Sequence, residues 1–481
     1  MLSKAASEVL KTLKVQDSGI EKLDIVNETA GRKVITRLKV TAGGKAGCVR
    51  RCSEARAKER LGAEINRLEK RNLYLLLTEN LGLEGVPYGI MHGVRPTKII
   101  QRWLREGYGV TSQGVIDRDK LCRRVMSDYL TRRDKAELLT EVAISQLPII
   151  KRGEDKVSVY VGIPFCRTRC LYCSFPSFVL PKEEVVQEFM AALRRDIESA
   201  AKSTAGLQVQ TIYIGGGTPT ALPEKYFADL IELVYEKFSS ANVEEFTVEC
   251  GRPDTITEEK ISVMKKFGVT RVSVNPQTMH QRTLDFIGRQ HTVEDIVRAF
   301  KELRAADDWL INMDLIIGLP GERLNDFKLT LEKILELDPD DVTIHSLAIK
   351  RGSRLQMRLS DELNTLEDFN LPDDKEVRKM GDYAAQVLRG AKFYPYYLYR
   401  QDYMSGQLEN VGWCRRGAEG IYNVQIMGER QKIIGVGAAA STKVPDEHRI
   451  RTAFNPKDLQ TYLRDVDKYI ARREEILGSR D

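Results

Sequence analysis

The feature that most constrains this chain is a six-fold alternation between residues 157 and 348. Short apolar runs stand at VSVYVGI (157–163), TIYIGG (211–216), EFTVEC (245–250), RVSVN (271–275), INMDLIIG (311–318) and DVTIHSLA (341–348). Stretches of helical period lie between them, near 183–203, 224–239, 258–267, 293–306 and 323–337. Strands that alternate with helices predict parallel βα units, because a parallel crossover needs a helix to return the chain. Such folds place ligand sites at the carboxyl ends of the strands. Polar and glycine-rich sequence gathers at those ends.

The flanks have a different texture. Residues 1–150 read as α+β: an amphipathic start, alternation at Val34, Thr36, Leu38 and Val40, a turn at Gly43-Gly44, a helix from about Ser53 to Thr78, and helical period over 118–146. Pro148 and the charged run KRGEDK (151–156) predict a boundary. After about 365 the alternation stops. A helix near 373–389, the aromatic stretch FYPYYLYRQDYMSG, the small-residue run IIGVGAAAS and a helical tail near 456–477 follow. The expected organisation is a basic α+β domain (1–150), a partial (β/α)6 barrel (151–365) and a mostly helical C-terminal module (366–481).

Composition excludes several classes. Of 481 residues, 42% are hydrophobic and 30% charged, which rules out a disordered chain, a collagen-like fibre or a small disulfide scaffold. No run approaches the ~18 apolar residues that span a bilayer. The start MLSKAASEVLKTLKV has no apolar signal core, so a cytoplasmic protein is expected. The net charge of +6 is uneven: residues 1–150 hold 28 Lys+Arg against 18 Asp+Glu, a surplus of +10 that leaves −4 for the rest. A basic first third suits an anionic partner or is a solvated basic face.

Three of the eight cysteines, Cys166, Cys170 and Cys173, are spaced CxxxCxxC on the loop after the first barrel strand. Thiolates are the usual ligands of iron–sulfur clusters. Three thiolates leave one iron of a cubane open to a ligand from outside the protein, which a catalytic centre needs. The alternative is a Cys3His zinc site, for which this triplet spacing is unusual.

The stretch YVGIPFCRTRCLYCSF (160–175) followed by GGGTPT (215–220) resembles the radical S-adenosylmethionine enzymes, and within them the group of oxygen-independent coproporphyrinogen III dehydrogenases and their haem-chaperone relatives. ECGRPDTI (249–256), HSLAIKRGS (345–353), LYRQDYMSGQLENVGW (398–413), YNVQIMGE (422–429) and GVRPTK (93–98) are most similar to its HemZ-type branch. The resemblance implies a 4Fe-4S cluster on Cys166, Cys170 and Cys173, with S-adenosylmethionine on the open iron. It implies cosubstrate contacts from Tyr160, Tyr172, Gly216, Gly217, Thr218, Glu249, Gln277, Arg289, Asp314 and Ala348. It implies a one-electron donor such as flavodoxin or ferredoxin, and a tetrapyrrole substrate.

A substrate with four propionates calls for cations, and Arg is suited to carboxylates. Arg252, Lys350, Arg351 and Arg95 are candidates, with His345 as a further substrate contact. The implied reaction removes a β-hydrogen, an electron and carbon dioxide from two propionates, giving protoporphyrinogen IX. Three departures bear on that activity. Gly162 stands where HemN-type enzymes have His, Phe175 where they have a fourth Cys, and Glu409 where the chaperones have the His of HNxxYW. A haem chaperone, a haem-opening radical methyltransferase and an RNA-modifying radical enzyme are the alternatives; the polycarboxylate logic makes nucleic acid the lesser expectation.

Overall fold

The computed structural model describes residues 3–15, 22–42, 45–55, 61–350, 352–359, 369–401, 404–446 and 449–478. The chain divides into two compact units, Met1–Ala143 and Ile144–Asp481.

In the first unit, β1 (Lys22–Ala30), β2 (Lys33–Ala42) and β3 (Lys45–Glu54) form an antiparallel sheet in that order. The inward residues of β2, Val34, Thr36 and Leu38, are fully buried, as their alternation predicts. Leu38 and Val40 share a core with Val9 of the helix Lys4–Thr12 and with Leu73, Tyr74, Leu76 and Leu77. Ser53, where a helix is expected to start, lies in β3, and the described helix runs Leu61–Leu75. Ser53 pairs with Val34 in the sheet, and its Oγ donates to Asn72 at 2.6 Å. With little apolar alternation of its own, β3 is held as a strand by the β2 ladder, a tertiary effect that local sequence hides. The Gly43-Gly44 turn lies outside the described residues.

The helical region 118–146 is two helices, Arg118–Tyr129 and Arg133–Gly153, broken where Leu130 turns left-handed (φ 59°). Pro148 lies inside the second helix rather than ending it. From Ile144 onward that helix packs on the second unit's own residues: Gln146 Nε2 donates to the Tyr396 carbonyl at 3.1 Å, and Ile149 and Ile150 pack with Tyr396 and Tyr397.

The second unit is built on one sheet. Its strands are β4 (Val157–Ile163), β7 (Val209–Gly216), β8 (Glu245–Glu249), β9 (Arg271–Ser273), β10 (Leu310–Ile317), β11 (Asp341–Ser346), β12 (Tyr394–Tyr399), β13 (Asn410–Cys414), β14 (Lys432–Gly437), β15 (Ser441–Pro445) and β16 (Ile450–Phe454). The short pieces β5 (Phe165–Cys166) and β6 (Phe178–Val179) pair beside it. The order is β12-β13-β11-β10-β9-β8-β7-β4-β14-β15-β16. All six expected strands are present, parallel and adjacent in chain order, a partial (β/α)6 barrel. The helices Glu183–Ser203, Glu224–Phe238, Glu258–Lys266, Val293–Ala306 and Leu324–Leu337 fall where periodicity predicts.

Residues beyond 366 hold the helices Asp374–Gly390, Ile421–Gly428 and Leu459–Gly478, and their strands extend the barrel sheet at both edges. The segment IIGVG forms β14, which runs parallel to β4. A Cβ on Gly435 would lie 2.5 Å from the Ser441 carbonyl, so glycine is what lets β15 fold back so closely.

Two buried polar networks fix this frame. Asp196 pairs with Arg473 of the last helix, both 1% exposed, and accepts from Gly437 N (2.8 Å) and Tyr462 OH (2.9 Å). Arg271 lies 3.3 Å from Glu245 and 3.1 Å from Asp341. The first helical amides of Ile421 and Tyr422 donate to Glu245 at 2.7 and 3.1 Å, so a carboxylate caps that helix and sets Tyr422 against the barrel.

Candidate active site

The cysteine loop leaves β4 and is pinned on both sides. Phe165 and Cys166 pair with Phe178 and Val179, and Leu180 N donates to the Cys166 carbonyl at 2.9 Å. Leu171 N donates to Ile287 O at 2.9 Å, and Leu355 N to Leu171 O at 2.8 Å. Leu171 buries in a small core with Ile287, Ile316, Leu319, Leu347 and Leu355, with Tyr172 against it. The three thiols remain half-buried, and burial pushes Cys166 and Cys173 up from the ordinary thiol range. Of the other cysteines, Cys122, Cys250 and Cys414 are buried, and Cys48 and Cys52 lie exposed on β3.

The glycine loop ends β7 beside it. Gly217 N donates to Ile163 O and Thr218 N to Phe165 O, both at 2.7 Å. A Cβ on Gly217 would lie 2.4 Å from Phe165 O, so only glycine brings these strand ends together. Thr218 Oγ1 reaches Cys166 Sγ at 3.6 Å. Glu249, at the end of β8, accepts from Gly216 N at 3.1 Å and from the Tyr213 hydroxyl. Burial and the neighbouring Asp314 push its carboxyl up to about 7 against those hydrogen bonds. Tyr160, Tyr213 and Tyr422 stack beneath it, with ring centroids 4.4–6.0 Å apart.

Gln277 follows β9 in a left-handed backbone conformation (φ 71°), unusual for a residue with a side chain, and is held by Gln277 N to Asp314 O at 2.9 Å. Strain of this kind concentrates at ligand sites. Asp314 of β10 accepts from Asn312 Nδ2 at 2.8 Å and lies 3.6 Å from His345 Nε2 of β11. Burial pushes the Asp314 carboxyl up, but His345, Asn312 and Thr343 outweigh it and hold it below the usual range. The other nitrogen of His345 meets the Tyr399 hydroxyl at 3.4 Å. Ala348 bridges to Met404 just beyond β11.

Arg289 is 4% exposed and donates to Gly251 O at 2.6 Å and to Tyr172 OH at 3.4 Å. Arg252 is 3% exposed, and its Nη1 lies 3.8 Å from Cys170 Sγ. It faces the cysteine loop. Lys350 is half-buried, its carbonyl accepting from Ser353 N at 3.1 Å. Arg351 lies outside the described residues. Arg95 belongs to the first unit, just ahead of the helix Thr97–Arg105.

The structure therefore gathers Cys166, Cys170, Cys173, Tyr172, Gly216, Gly217, Thr218, Glu249, Arg252 and Arg289 around adjacent strand ends, with Asp314 and His345 beside them. Sequence reasoning did not pick out Tyr213, Tyr422, Asp254 or His291. Tyr213 was within reach: two residues before Gly215 on one strand, it faces the same side. Gly162 also gains a reason. A Cβ there would lie 2.7 Å from Ala438 O, leaving no room for the His of HemN-type enzymes.

The residues fit a cluster and its cosubstrate. Among the described residues no three His, Cys, Asp or Glu side chains are grouped to chelate a single metal ion. A cubane needs no such grouping, since each thiolate binds a different iron. Arg289 Nε and Arg252 Nη2 are buried without a hydrogen-bond partner, as in a site that awaits an anionic or sulfur acceptor.

Comparison with known proteins shows the family. Residues 160–334 match the model of the Radical SAM superfamily. The chain is 37% identical over 395 residues to the oxygen-independent coproporphyrinogen-III oxidase-like protein HemZ of Bacillus subtilis, spanning 79% of this chain and 75% of that protein. It is 33% identical to the heme chaperone HemW of Bacillus subtilis over 194 residues, 40% of this chain and 51% of the relative. The solved structure of HemN, the coproporphyrinogen III oxidase of Escherichia coli, superposes with a TM-score of 0.54 at 22% identity, covering 68% of this chain and 72% of that one. The chain is a radical S-adenosylmethionine protein, and it belongs to the family of HemZ, the oxygen-independent coproporphyrinogen-III oxidase-like proteins, within that superfamily.

Among the described residues no helix is long and apolar enough to cross a membrane.

Proposed function

We propose that the protein is an oxygen-independent coproporphyrinogen III dehydrogenase, turning two propionates of coproporphyrinogen III into vinyl groups. The observation that carries this reading is the placement of Glu249, Gln277 and Asp314 at or just past the ends of consecutive strands, with Arg289, from the loop after the helix Gln281–Phe286, reaching Gly251 O and Tyr172 OH beside them, an arrangement suited to a cosubstrate that is consumed. Similarity to HemZ along most of the chain supports it.

When bound, the cluster and S-adenosylmethionine supply a 5′-deoxyadenosyl radical. The chain's own residues bind and orient. Cys166, Cys170 and Cys173 would hold three irons. Tyr172 would lie against the adenine, Arg289 would take the carboxylate, Gly216 and Gly217 would let backbone groups approach the methionyl end, and Asp314 would take a ribose hydroxyl. The stack of Tyr160, Tyr213 and Tyr422 packs beside Glu249 and orients it through the Tyr213 hydroxyl. Lys350 would offer a cation to a propionate, and His345 a further contact.

The test is anaerobic reconstitution, reduction, and product analysis with coproporphyrinogen III. A monovinyl or divinyl product with 5′-deoxyadenosine supports the reading. Retention of haem with no decarboxylated product turns it to the haem-chaperone reading, which the HemW similarity favours.

A further inference from the structure

We propose that Arg252 is a positioning residue for the cluster: it donates a charge-assisted hydrogen bond to the Cys170 sulfur and raises the potential at which the cluster accepts an electron. The proposal rests on the cofactor reading above.

Three observations carry it. The Arg252 Nη1–Cys170 Sγ distance of 3.8 Å falls within sulfur hydrogen-bond range. The guanidinium is 3% exposed, so its charge acts through protein rather than water. Its place is also fixed. Cys250 is buried, the Gly251 carbonyl is taken by Arg289, and the turn Pro253–Thr255 is closed by Thr255 N to Arg252 O at 3.0 Å.

Asp254 completes the device. Its Oδ1 lies 3.3 Å from Arg252 Nε and 3.5 Å from His291 Nδ1, while Arg167 approaches its other oxygen at 3.6 Å. Asp254 thus holds the guanidinium with its Nη edge toward the loop and offsets part of its charge. His291 is 1% exposed and backs the carboxylate.

Reduction adds one negative charge to the cluster. A fixed cation donating to a ligand sulfur stabilises the reduced form more than the oxidised one, and hydrogen bonds to sulfur are among the groups that set cluster potentials. Losing Arg252 should lower the potential. Losing Asp254 removes an opposing charge and should raise it.

The experiment is a mediated potentiometric titration of the full-length, anaerobically reconstituted protein, followed by electron paramagnetic resonance, without S-adenosylmethionine or tetrapyrrole. Iron content is measured on every sample. Arg252→Gln should keep its iron and lower the one-electron reduction equilibrium at least tenfold, about 59 mV. Arg252→Lys should recover part of the shift, and Asp254→Asn should shift the opposite way. A merely structural role would not move the two variants in opposite directions. An Arg252→Gln potential within twofold of wild type in that equilibrium overturns the proposal. Should Arg252→Gln lose iron, unshifted potentials in Arg252→Lys and Asp254→Asn overturn it. A wild-type protein that takes up no cluster overturns the cofactor reading itself.

Discussion

The carboxylate of Glu249 and the backbone of Gly216 meet across two neighbouring strand ends, the Gly216 N–H donating to Oε2 at 3.1 Å. A Cβ on Gly215 would lie 2.6 Å from the same oxygen, so carboxylate and glycine loop are fitted to one another. This contact organises the loop by the cysteines before any cofactor arrives, and it makes the Glu249 proton part of the folding equilibrium.

With its carboxyl pushed up to about 7 by burial, Glu249 binds a proton in the folded metal-free protein that it has lost in the unfolded chain between about pH 4.5 and 7. Its contribution to stability therefore falls as pH rises through that window and is constant above it. Glu249→Gln should flatten the slope by up to about 1.4 kcal/mol per pH unit. Denaturant melts of the metal-free protein from pH 5 to 8 check this. Asp341, pushed up to about 7 by burial against Arg271, contributes with the same sign and should persist in the variant.

Removing any one of Cys166, Cys170 or Cys173 as alanine should abolish the cluster. Alanine at Cys48, Cys52, Cys122, Cys250 or Cys414 should leave iron content unchanged, since none of these lies on the cysteine loop. Iron and sulfide analysis after anaerobic reconstitution decides, and normal iron in Cys170→Ala would contradict the site.

Asp314→Ala should weaken S-adenosylmethionine binding without removing the cluster. A carboxylate hydrogen bond to a ribose hydroxyl is worth about 1.5–3 kcal/mol, so a rise of roughly ten- to a hundred-fold in the half-saturating concentration is expected. Equilibrium binding at fixed iron content measures it.

Arg473→Ala should destabilise the second unit by about 3–5 kcal/mol, because it strands the buried Asp196 carboxylate without its cation. Asp196 also accepts from Gly437 N at 2.8 Å at the end of β14, so the loss should show as detachment of the last helix and strand edge. Hydrogen exchange over β14–β16 reads it directly.

The six barrel strands and five intervening helices were legible because each carries its own period and because turn residues separate them. The site was legible where one loop holds several functional groups, as with Cys166, Cys170 and Cys173 or the glycines 215–217. What stayed hidden depends on long-range pairing. β3 has no alternation of its own and forms against β2. β14 joins β4 across more than two hundred residues. Pro148 marks a break by local rules, yet it sits in a helix held by contacts to Tyr396 and Tyr397. Arg252 looked like a substrate cation from its place after β8. Only the fold shows it turned onto Cys170.

The most direct test of the central claim is the dependence of S-adenosylmethionine cleavage on coproporphyrinogen III in the reduced, reconstituted protein. 5′-Deoxyadenosine should form in step with a decarboxylated, vinyl-bearing tetrapyrrole and stop forming when coproporphyrinogen is left out. Cleavage at the same rate with and without coproporphyrinogen, no decarboxylated product, and haem retained through purification would contradict it.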